Sequence, residues 1–216
     1  MGMHNRKITL IFFIVLVILL ALFFPWPNLR NISKDSIPEI PKNISTTQNE
    51  IKYFIEPINS ANQRITHKPF GIKVSPQNSP IQPEKFSGYH TGVDFEIFPE
   101  EKNVVVPVFA ICEGKLLIKK QARGYGGLII QSCRLNNDNV TVIYGHLDIA
   151  SVTKEVGEDF YAGEQIGILG TGFSIETDGE RKHLHLGIHM GNSVDTRGYV
   201  QDSDELKNWI NFSKYL

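Results

Sequence analysis

The sequence has no excess of charge of either sign: 22 Lys and Arg stand against 23 Asp and Glu, a formal net charge of -1 at pH 7. Without a concentrated basic face there is no electrostatic footprint for nucleic acid, and no such partner is expected. Cysteine is scarce. Cys112 and Cys133 are too far apart for the CxxC spacing of a zinc ribbon or a dithiol redox centre. The HExxH helix signature of one class of metal-dependent hydrolases is absent. No internal repeat is present, which excludes a solenoid or a propeller. Helical periodicity is also rare. The one convincing stretch is terminal, "DSDELKNWINF", with Asp202 or Ser203 as cap and Leu206, Trp209 and Ile210 as an i, i+3, i+4 apolar stripe.

What the chain does have is unevenly placed. Ile8 to Phe24, "ITLIFFIVLVILLALFF", carries no charge and one hydroxyl, Thr9. At ~1.5 Å per residue such a run nearly spans a ~30 Å hydrocarbon core. A cleaved signal peptide would end in small residues, whereas Leu22, Phe23, Phe24 and Pro25 follow here. The run therefore reads as a single-pass signal-anchor. Arg6 and Lys7 hold the N-terminus in the cytoplasm, Trp26 suits the outer interface, and the rest lies outside. The expected organisation is a cytoplasmic N-terminus at 1–7, a transmembrane helix at 8–24, an extracytoplasmic linker at 25–62 and a folded domain at 63–216. The linker is inferred from its Pro, Asn, Ser and Thr content and the lack of any sustained period.

The domain has an all-β texture, with mostly antiparallel sheet expected and one short helix at the C-terminus. Short apolar runs such as "NVVVPVFAI", "GGLIIQSC" and "VTVIYGHL" alternate with Gly- and Asn-rich turns. "AGEQIGILGTG" has the glycines of a phosphate loop but no long helix after it, so tight strand turns are the better interpretation. "CEGKLLIKK" and "GGLIIQSC" form two strands around "QARGY". If Leu117 pairs with Leu128, Cys112 faces Cys133, and an oxidising compartment would allow a cross-strand disulfide. The alternative is two separately buried thiols.

The chemistry is concentrated in "RKHLHLGIH". Leu184, Leu186 and Ile188 take one parity of a strand, and His183, His185, Gly187 and His189 take the other. Two residues along a strand is ~6.6 Å on one face, so His183 and His185 reach one pocket. Upstream, "GYHTGVDFEI" supplies His90 and Asp94. A straight strand would hold these ~13 Å apart, too far to share an ion, so the segment must bend, and Gly92 allows it. His90, Asp94 and one of the His183/His185 pair make two imidazoles and a carboxylate. That donor set suits zinc, with a fourth position left for water. His189 is expected at the surface or a groove rim, and His67 and His4 have no assigned role.

The phrases "KPFGIKVSP…GYHTGVDF", "VIYGHLD", "AGEQIGILGTG" and "HLHLGIH", in this order and spacing, resemble the lysostaphin-type (LytM-domain) zinc metallopeptidases from about Ile65 to His189. The resemblance implies one zinc per chain, with His90, Asp94 and His185 as ligands. It implies that His146 and His183 are the two catalytic histidines that do not ligate, leaving open which acts as base. It further implies a compact antiparallel β fold with a narrow groove, and hydrolysis of peptide bonds in cell-wall peptidoglycan, in the stem peptide or the cross-bridge. The alternative is a non-enzymatic scaffold or activator of other wall hydrolases, since some members have lost ligands. Two departures stand out. The loop before the HxH is long and charged, "SIETDGERK", and Gly187 occupies a position where the family commonly has Glu.

Overall fold

The alternating segments form antiparallel strands throughout the described part of the chain. The computed structural model describes residues 55–135 and 137–216. The apolar run at 8–24 and residues 25–54 of the linker lie outside the described residues. Among the described residues, no helix is long and apolar enough to cross a membrane.

The strands are β1 (Lys73–Val74), β2 (Gly88–His90), β3 (Gly92–Glu96), β4 (Pro107–Phe109), β5 (Gly114–Ala122), β6 (Gly126–Leu135), β7 (Asp138–Asp148), β8 (Asp159–Phe160), β9 (Gln165–Leu169), β10 (His183–Met190) and β11 (Tyr199–Val200). A small sheet has the order β1-β2-β11, and a large one the order β3-β10-β7-β6-β5-β8. β9 joins β7 to β4 at the side of the large sheet. Successive side chains of its central strands point to opposite faces, and both faces are buried. On the back, Ile129, Val142, Tyr144, Leu184, Leu186 and Ile188 belong to the main core. On the front, Leu128, Ile130 and Ile143 pack with Tyr125 and Trp209 in a second, smaller cluster.

Cys112 and Cys133 form a disulfide, with Cα atoms 6.1 Å apart. The register expected around it is not the one found. Leu128 lies opposite Lys120 rather than Leu117, and Leu116 lies opposite Gln131, with an irregularity between Leu116 and Ile118. Cys112 precedes β5 altogether. The hairpin closes with Ala122 opposite Gly126, so its register lies three residues from the expected one at Leu128, and the irregularity shifts it by only one.

Gly163, at φ +80, and Gly170 and Gly172 flank β9, while Gly167 lies within the strand, opposite Val108. The C-terminal helix is shorter than its stripe predicts. Ser203–Asn208 is a 3-10 helix, capped by the Asp202 side chain accepting from the Asp204 amide. At Trp209 the backbone becomes extended, pairs with His189, and the Ile210 amide donates to the Ile188 carbonyl. This segment continues the ladder beside β10 beyond Gly187, where β3 stops. A ladder bond and burial of the indole outweigh one further helical turn.

Candidate active site

The register of β10 assembles most of the site. His185 lies opposite Asp94 of β3 on one side and Gly145 of β7 on the other. His183 and His185 share the front face, while Leu184 and Leu186 anchor the strand from behind. His90 arrives from the other sheet. The chain ends β2 at His90 and starts β3 at Gly92, so the bend expected between them is a switch from one sheet to the other. Gly92 is needed for close approach. A Cβ there would stand 2.6 Å from the Leu186 carbonyl oxygen and 2.7 Å from the His185 ring.

Three potential ligand atoms converge. His90 Nε2 is 3.0 Å from His185 Nδ1, His185 Nδ1 is 3.1 Å from Asp94 Oδ1, and His90 Nε2 is 3.3 Å from Asp94 Oδ1. Tetrahedral zinc with bonds of ~2.0–2.1 Å has ligand–ligand edges of ~3.3 Å, so the triangle fits one face of such a centre. Burial makes the fit meaningful, because all three residues are almost wholly removed from solvent. The His90 Nδ1–H donates to the Pro69 carbonyl, which leaves Nε2 with its lone pair for an ion. His185 Nε2, on the far side of its ring, has no partner among the described residues.

Asp94 is the electrostatic hub. Burial alone would raise its carboxyl. The imidazoles of His90 and His183, with hydrogen bonds from His183 and His185, hold it well below the usual carboxylate range. Its second oxygen, Oδ2, accepts from Arg181 Nη2 at 2.9 Å and lies 3.3 Å from His183 Nε2. Arg181 is in turn held by both oxygens of Glu96. The sequence gives no role to Arg181 beyond the charged loop. Its parity, two residues before His183, was the available signal, since it continues the same face of β10. Burial pushes the His185 imidazole down to about 4, against the pull of its hydrogen bond to Asp94.

His146 reaches the site through a defect in the sheet. Gly127 pairs with Leu147 and Leu128 with Gly145, so His146 is the extra residue of a bulge. It has φ 65, in the left-handed region that non-glycine residues rarely adopt. Its amide donates to the Tyr125 carbonyl and its own carbonyl accepts from Gly170. Its ring centroid lies 4.2 Å from that of His183. Burial, reinforced by the charge of His183, holds His146 well below the ordinary imidazole value. The His183 Nδ1–H donates to the Arg181 carbonyl at 2.9 Å, which fixes the orientation of the ring.

A cavity of ≈ 290 Å³ opens over these groups, and Asp94, His146, His183 and His185 line it. The structure thus brings together all five residues singled out in the sequence. His189 differs from the expectation of a rim position. It is buried against Trp209, with ring centroids 4.9 Å apart and Nε2 3.9 Å from Asp195, and it does not line the cavity. His67 is exposed, and His4 lies outside the described residues.

Three protein donors with an open side facing a cavity could hold a metal ion in the arrangement of a catalytic rather than a structural site. A family profile, Peptidase family M23, matches residues 88–196, just over half of the chain. The chain belongs to peptidase family M23, and its likeness to the lysostaphin- and LytM-type enzymes follows from that membership. Several solved structures are similar to it. A zinc-containing peptidase from Vibrio cholerae has 19% identity and a TM-score of 0.42, with 64% of this chain and 37% of that one covered. The catalytic domain of lysostaphin from Staphylococcus simulans has 25% identity and a TM-score of 0.42, covering 65% of this chain and 88% of that one. Helicobacter pylori Csd3 has 18% identity and a TM-score of 0.37, covering 64% and 32% respectively. No curated protein matches the chain.

Proposed function

We propose that this chain is a zinc-dependent endopeptidase, anchored to a membrane by residues 8–24, that hydrolyses peptide bonds of cell-wall peptidoglycan. The observation that carries it is the buried triangle of His90, Asp94 and His185 beside the paired rings of His146 and His183, under one cavity. Zinc held there would acidify its water toward a pKa of ~7 and polarise the scissile carbonyl. The chain's own residues supply the rest. His146, which lines the cavity with its ring 4.2 Å from that of His183, would be placed to accept a proton from the attacking water. His183, fixed at Nδ1 by the Arg181 carbonyl, presents Nε2 toward the reacting groups, where it can stabilise the developing oxyanion or pass a proton to the leaving amine. Arg181 and Glu96 hold Asp94 in its ligating orientation. The peptidoglycan substrate is supported by family membership, and the anchor by the apolar run alone.

The test is digestion of purified cell walls, followed by mass analysis of the soluble muropeptides. Release of peptide-cleaved fragments that stops on chelation and returns with zinc is the expected result. Zinc-loaded protein that binds walls and releases nothing would contradict the enzyme and favour a scaffold.

A further inference from the structure

All the charged side chains that line the groove except one are neutralised by a neighbour. Lys68 pairs with Glu84 at 2.6 Å, Arg181 with Asp94 and Glu96, Arg197 with Asp195 and Glu205, and Glu180 with Lys85 at 3.0 Å. Arg123 lines the same cavity and makes no ion pair or hydrogen bond through its side chain to any described residue. It is exposed, yet its position is fixed. It sits at the tip of the turn between β5 and β6, where the Tyr125 amide donates to the Ala122 carbonyl. The Gly124 amide donates to Asp178 at 2.7 Å, and Gln121 Nε2 to the Ile175 carbonyl at 2.8 Å. Gly126 is packed so closely that a Cβ there would lie 2.0 Å from the Glu176 carbonyl oxygen. Two residues after Arg123, Tyr125 accepts the His146 amide through its carbonyl and sets its ring 5.4 Å from that of His185. The turn is therefore tied both to the 171–180 loop and to the reacting groups.

We propose that Arg123 binds a carboxylate of the substrate, so that the groove takes an acidic stem peptide in preference to an uncharged glycine bridge. This rests on the cavity being the peptide-binding groove of the proposed peptidase. A guanidinium offers paired N–H donors that match the two oxygens of a carboxylate. A neutral bridge peptide would leave the charge unanswered.

The test uses the zinc-loaded full chain in detergent, carrying His146→Ala so that bound peptide is not turned over. Calorimetric titration compares a stem pentapeptide with free carboxyl groups and the same peptide fully amidated. The acidic form is expected to bind about five- to tenfold more tightly, between the value of an exposed ion pair and that of a bidentate one. The preference should shrink with added salt. Adding Arg123→Gln should abolish it while leaving the affinity for the amidated peptide unchanged, and Arg123→Lys should keep part of it. Equal binding of the two peptides, binding of neither, or a preference that survives Arg123→Gln would overturn the proposal. Turnover of the acidic peptide by the otherwise unaltered chain is read separately. An Arg123-dependent preference without cleavage would refute the peptidase while leaving the carboxylate site standing.

Discussion

The two faces of β10 are equally buried and chemically opposite. Behind the strand, Leu184, Leu186 and Ile188 are at most 1% exposed and belong to the main core. In front, His183, His185 and His189 are between 2% and 9% exposed. Burial alone therefore does not say which face works. The accounting of polar atoms does. The buried side-chain atoms without a partner among the described residues belong to Tyr125, His146, His185, His189 and Trp209, all on the front side. Behind the sheet, the Tyr144 hydroxyl donates to Gln131 Oε1 and accepts from the Ile111 amide. Buried imidazoles are costly unless something answers them. None of these orphaned atoms belongs to the converging triangle, so the physical case for a metal rests on His90 Nε2, Asp94 Oδ1 and His185 Nδ1, buried and within 3.3 Å of one another on this side.

This contrast can be attacked from either side. Leu186→Ala should remove about 2–5 kcal/mol of stability, as large-to-small core changes do. Denaturant unfolding measures it, and the folded fraction should bind zinc at the same stoichiometry. Loss of zinc from the folded variant would mean that the faces are not separable. Reduction of Cys112–Cys133 comes next. The chain-entropy estimate for a loop of this size is ~3 kcal/mol, so the melting temperature should fall. The bond lies away from the ligands, so zinc content and activity at moderate temperature should persist, as metal analysis and a wall-digestion assay would show. Arg181→Gln should weaken zinc binding by roughly tenfold, since groups that orient a ligand are typically worth ten- to a hundredfold. Competition with a chromophoric chelator reads this directly. Unchanged or tighter binding would show that the guanidinium does not position Asp94.

The smallest effect is one of pH, and it too belongs to the front face. His146 has a folded pKa well below the 6.5 of a free imidazole. The unfolded chain therefore binds its proton first as pH falls. The stability contributed by the neutral ring is complete above pH 6.5 and is lost progressively below it, toward the folded value. Metal-free His146→Gln should show a shallower acid decline in melting temperature than the metal-free parent. Parallel curves would remove His146 from the explanation.

Much of this was legible in the residues, for a physical reason. Strand alternation puts His183 and His185 on one face whatever the rest of the fold does, and the HxxxD spacing forces a bend wherever both side chains serve one ion. What was not legible depends on irregularity. The bulge that turns His146 inward has no period to reveal it, and neither does the placing of the β5–β6 turn, with Ala122 opposite Gly126, that sets the actual hairpin register. His189 shares the parity of the site but is covered by Trp209, which arrives from the far end of the chain on a ladder that helical periodicity hides. Arg181 was visible by parity yet acquires its role only through Glu96, opposite His183 on β3.

The central claim is that His185 holds the metal while His183, two residues earlier on the same face, acts on the substrate. Zinc content of purified His185→Ala and His183→Ala, measured alongside turnover of wall peptide, tests it most directly. His185→Ala should lose zinc and activity together. His183→Ala should retain about one zinc per chain, as expected for a three-donor catalytic centre, and lose turnover by roughly 10²–10⁴-fold, the usual share of a proton-transfer group. Normal zinc in both variants, or loss of zinc in both, would contradict the division of roles.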